Sequence, residues 1–91
     1  MRERDVEAAV CMFAGGVGVG TIKLSGPNDR GKPDRLYYLN GKAIFIELKA
    51  TGEKPTALQI RALEKARSKG MFADWTDDPR VAAKWITDHL L

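Results

Sequence analysis

Asp34, Glu47 and Lys49 are residues whose types and spacing could hold a hard divalent cation and orient a water beside it. In Ala43-Ile-Phe-Ile-Glu-Leu-Lys49, side-chain alternation along a strand puts Ala43, Phe45, Glu47 and Lys49 on one face, which turns from apolar to ionic after Phe45. Asn40-Gly41 is a favoured two-residue hairpin turn, and counting outward from it sets Asp34 directly across from Glu47. Two opposed carboxylates about 5 Å apart repel, and a cation taking their oxygens relieves that repulsion. The competing reading is a strand leaving the core with an acid and a lysine paired in solvent. Gln59 lies within the apolar face that Leu58, Ala62, Leu63 and Ala66 would form on a helix, so its amide needs a partner. Either a capping box with Thr56 or the site itself supplies one. Glu7, on a first helix, can reach over a sheet edge, and Glu3 one turn earlier competes with it.

Those residues need elements to position them. Val6, Ala9, Val10 and Phe13 recur at helical spacing and predict a helix over residues 3–14, broken by four glycines between Gly15 and Gly20. A short strand is expected over Thr21–Leu24, then an extended loop from Ser25 to Pro33. Residues 35–39 and 42–48 form the hairpin, the second strand being apolar enough to lie centrally. Pro55, the Thr56/Gln59 pair and Gly70 bound a second helix over 56–69. Met71–Thr76 reads as a fourth strand, and Asp78-Pro79 opens a last helix with Ala82, Trp85, Ile86, His89 and Leu90 on one side. The predicted order is αβββαβα.

With 91 residues there is room for one core, so residues 1–91 are expected to form a single domain. One cysteine and one histidine exclude an internal disulfide and a four-ligand zinc site, and point to a reducing compartment. The charged start and the lack of a long apolar run indicate a cytoplasmic protein without a membrane segment. The net charge of +3 is unevenly spread: residues 23–70 carry eleven basic against five acidic side chains, a net +6 around Asp34, Glu47 and Lys49.

The constellation resembles the PD-(D/E)xK nuclease superfamily through Pro33-Asp34 and Glu47-Leu48-Lys49. More narrowly, Glu7, Gly31-Lys32-Pro33-Asp34-Arg35, Ile46-Glu47-Leu48-Lys49-Ala50 and Gln59 resemble the free-standing, phage-type versions of the VRR-NUC domain over nearly the whole chain. The resemblance implies an α/β, restriction-endonuclease-like core, αβββαβ plus a C-terminal helix, with a central mixed sheet flanked by helices. It implies divalent-metal phosphodiester hydrolysis on DNA, with Mg²⁺ or Mn²⁺ held by Glu7, Asp34, Glu47 and the backbone carbonyl of Leu48. Lys49 would activate the water and Gln59 would support the site. Lys23, Arg30, Lys32, Arg35, Lys54 and Arg61 would contact the DNA backbone. Similarity to Holliday-junction resolvases implies a homodimer acting on branched DNA. The alternatives are a flap or nicking nuclease of the same family, or a catalytically silent DNA-binding module. Trp85, Ile86, Leu90 and Leu91 offer an apolar dimer surface unless they pack internally.

Overall fold

A computed structural model describes residues 1–24 and 32–91. The element order is the predicted one: α1 (Glu3–Gly16), β1 (Gly20–Lys23), β2 (Arg35–Leu39), β3 (Lys42–Leu48), α2 (Ala57–Ser68), β4 (Phe72–Thr76) and α3 (Pro79–Leu90). The four strands form one mixed sheet in the order β1-β2-β3-β4, antiparallel except for the parallel β3–β4 pair. The expected loop at residues 25–31, with Arg30 and Gly31, lies outside the described residues.

Local chemistry explains most boundaries. Asn40 and Gly41 take φ of 51° and 79°, the left-handed backbone that a tight two-residue hairpin turn requires. α1 runs two residues beyond its predicted end because Gly15 and Gly16 stay helical and Gly18, at φ 80°, makes the stop. There the Val19 N–H donates to Ala14 O at 2.8 Å and the Gly18 N–H to Gly15 O at 3.3 Å, the paired bonds of a Schellman end. α2 closes the same way at Gly70, where the Met71 N–H reaches Ala66 O at 3.2 Å. Gly20 is required for a different reason: a Cβ there would meet the Tyr38 ring at 2.4 Å.

Alternation divides the sheet into two faces. Tyr37, Ile44, Ile46 and Leu48 form the main core with Val6, Val10 and Ala14 of α1 and Ala82, Ile86 and Leu90 of α3. On the other face α2 packs against β4 and β3 and buries Ala62 and Leu63. Leu58, expected on that apolar face, is exposed.

The C-terminal helix decides between the two readings of its apolar residues. Ile86 and Leu90 are inside the core and Trp85 packs against Phe72, with ring centroids 5.4 Å apart, so of the four residues offered as a dimer surface Leu91 is the exposed one. None of the described helices is long and apolar enough to cross a membrane. Truncating Ile86 to Ala leaves a cavity between α3 and the sheet and is expected to cost about 2–5 kcal/mol. Leu91→Ala should change stability by less than about 0.5 kcal/mol, both being measured by urea unfolding.

Candidate active site

The hairpin register carries Asp34 to Glu47. Pairing runs from Leu39↔Lys42 outward to Arg35↔Ile46, so the next residues out are Asp34 and Glu47. Both acids are buried, with 6% and 5% of their surfaces exposed, which excludes the solvent-paired reading of this strand end. On the β4 side, Glu47 pairs in register with Trp75. Trp75 is absent from the residues expected at the site because a parallel register across a helical crossover has no local sequence signal.

Burial, the negative charge of Asp34 and that of Glu3 push Glu47 up from the ordinary 4.5 to about 7. The Lys49 ammonium and a hydrogen bond from the Asp34 backbone act in the opposite direction and do not restore it.

Gln59 closes the capping box and also meets Glu47. Its Oε1 accepts from the Thr56 N–H at 2.9 Å, while the Gln59 N–H donates to Thr56 Oγ1 at 3.2 Å, closing the capping box. Its Nε2 donates to Glu47 Oε2 at 3.5 Å. The helix cap therefore delivers an amide N–H to the acid.

Helix one divides its two glutamates between different partners. Glu7 meets Arg35 at 3.0 Å and Lys23 at 3.3 Å, and both cations hold its carboxyl below the usual range against the effect of burial. Arg35 follows Asp34 at the start of β2 and so projects from the opposite face, toward Glu7 of α1. Glu3, one turn earlier, is the acid that reaches Lys49, its Oε1 lying 3.5 Å from Nζ. Leu48, between Glu47 and Lys49, is wholly buried in the main core, which holds its two neighbours on the other face.

The structure thus gathers Asp34, Glu47, Lys49 and Gln59, adds Glu3 and Trp75 beside them, and gives Glu7 to Arg35 and Lys23. Among the described residues no three Asp, Glu, His or Cys side chains are grouped closely enough for an all-protein metal cage. Two opposed buried acids and a backbone carbonyl are nevertheless hard oxygen donors. Mg²⁺ is commonly held by one or two carboxylates and completes its shell with water. Of the basic residues expected to meet DNA, Lys32, Lys54 and Arg61 are exposed, Lys23 is shared with Glu7, and Arg35 is largely buried in its ion pair. Arg30 lies outside the described residues.

The raised Glu47 pKa has a thermodynamic consequence. The unfolded chain releases this proton near 4.5 and the folded one near 7, so metal-free stability falls as pH rises through that window. Glu47→Gln removes the penalty. In EDTA it should stabilise the protein at pH 8 by about 1–2 kcal/mol, less than the full shift because solvent screens part of it. The gain should fade toward pH 4.5, and urea unfolding at both pH values checks this.

No family model matches the chain. It is 45% identical over 62 residues to "Putative nuclease p44" of Acyrthosiphon pisum secondary endosymbiont phage 1, a match covering 67% of each protein. Its fold is similar to a solved VRR_NUC domain at a TM-score of 0.80 and 26% identity, over 98% of this chain and 97% of that one. Together with the mixed sheet and the acids at its hairpin end, these likenesses show that the chain belongs to the VRR-NUC nuclease family.

Proposed function

We propose that this nuclease is a divalent-metal-dependent, structure-selective DNA endonuclease that hydrolyses phosphodiester bonds in branched DNA such as Holliday junctions. The observation that carries the reading is the Asp34–Glu47 pair. Two acids are buried side by side at a strand end, and burial first, then the negative charge of Asp34, raises the Glu47 pKa to about 7. A bound cation relieves that repulsion.

Asp34, Glu47 and the Leu48 carbonyl would hold Mg²⁺ or Mn²⁺. When bound, the ion supplies charge neutralisation at the phosphate and a more acidic water. Lys49, on the same face as Glu47, orients the attacking water and balances negative charge on the phosphate oxygens. Gln59 fixes the Glu47 carboxylate through its N–H. The exposed Lys32, Lys54 and Arg61 would contact the DNA backbone irrespective of sequence. Glu7 takes the structural part here, since its carboxylate is occupied by Arg35 and Lys23. A homodimer presents two such sites to the two strands that a junction resolvase must cut, and light scattering should return twice the 10.0 kDa chain mass.

The decisive assay uses four-way junctions, flaps and linear duplexes with Mg²⁺ or Mn²⁺. Cleavage should favour the junction and stop in EDTA, and Asp34→Ala should lower the rate roughly a thousand-fold. Equal cleavage by the wild type and Asp34→Ala would assign the activity to a contaminant and overturn the proposal. Preferential cleavage of flaps would overturn the junction assignment and leave the nuclease intact.

A further inference from the structure

Lys49, two residues after Glu47, has an ion-pair partner on the first turn of α1. The flexible four-carbon stem of a lysine would otherwise let its charge settle on the nearest carboxylate. Among the described residues, the acid in ion-pair contact with Lys49 is Glu3, at 3.5 Å, although Glu47 lies two residues back near the end of β3. Lys49 is mostly buried, whereas Glu3 stands half in solvent, so the pair is anchored from the rim of the site.

The placement is built into the backbone. The Thr51 N–H, two residues after Lys49, donates to Met1 O at 2.9 Å, which ties the chain just before α1 to the chain just after β3. The Gly52 N–H donates to Asp77 Oδ2 at 2.9 Å and fixes the same segment to the end of β4. The first turn of α1 is thereby held alongside Lys49, and Glu3 is its first residue. One turn on, about 5.4 Å along the axis, Glu7 turns to Arg35 and Lys23.

From this arrangement we infer that Glu3, rather than Glu7, is the helix-one acid that serves the active site, as a positioning residue that holds the Lys49 ammonium off Glu47 and aimed at the water. This rests on the metal-dependent reading above. Its contribution to stability is small, because a half-exposed ion pair is worth little. Its effect is on geometry at the reacting centre.

The test compares Glu3→Gln, Lys49→Ala and the double variant on the DNA structure that the wild type cleaves fastest. Glu3→Gln should lower kcat roughly ten- to a hundred-fold, in the range seen when an outer partner of a catalytic group is removed, with KM for the DNA unchanged. Glu3→Asp, which keeps the charge on a shorter stem, should recover part of the loss. In the Lys49→Ala background Glu3→Gln should have no further effect, since the group it acts through is gone. Mn²⁺ binding by calorimetry without DNA should be preserved in Glu3→Gln. Wild-type kcat in Glu3→Gln beside an inactive Lys49→Ala overturns the inference, as does an additive double variant. A matching loss of Mn²⁺ affinity would make Glu3 a ligand and also overturn it. Wild-type cleavage by Lys49→Ala would instead refute the role given to Lys49 in the proposed function.

Discussion

The structure turns on placing two acids opposite one another at the buried end of a hairpin. The pairing that begins at Asn40-Gly41 leaves no freedom in this: once Leu39 meets Lys42, Asp34 arrives at Glu47. A one-residue slip would turn Glu47 to the main core and Ile46 toward α2, so the register that buries the apolar side chains is also the register that assembles the acids. Ile44, Ile46 and Leu48 on one face thus specify the position of Glu47 on the other. The cost is a like-charge contact in a poorly solvated place, kept where a functional site needs it and offset by the packing around it.

The remaining elements divide the work of supporting that contact. α2 brings Gln59 to Glu47 from the less covered face of the sheet, while α1 reaches the site at its first turn and fastens the β1–β2 edge at its second. Arg35 is central to this division. It follows Asp34 directly, so the same alternation that points Asp34 toward Glu47 points Arg35 toward Glu7. Two ionic contacts of opposite character, one repulsive and one attractive, lie on the two sides of one strand.

Much of this could be read from the residues in order. The hairpin and its register followed from Asn-Gly between two β-rich runs, the capping box from Thr56 and Gln59, and the start of α3 from Asp78-Pro79. Each is a local rule with a definite stereochemical cause. Long-range relations were less accessible. Glu3 and Glu7 are equivalent by periodicity, and they separate only once the chain near Met1 is fastened to Thr51. Trp75 stands beside Glu47 because of a parallel pairing that no nearby residue encodes. The end of α1 moved because glycines tolerate helix as well as turn, and Gly18 rather than Gly15 took the positive φ. Trp85, Ile86 and Leu90 formed an apolar stripe whose destination depended on whether a sheet lay beneath it, and one does.

Gln59 illustrates how a helix cap can impose polarity on a buried acid. With its carbonyl oxygen accepting from the Thr56 N–H, the amide cannot rotate to offer that oxygen to Glu47 without opening the first turn of α2. Only the donor end faces the carboxyl. A protonated Glu47 consequently finds no acceptor in Gln59 for its own O–H, whereas an ionised Glu47 finds a donor. The cap therefore presents a donor, at 3.5 Å, to the ionised form of the acid, while burial favours the neutral one.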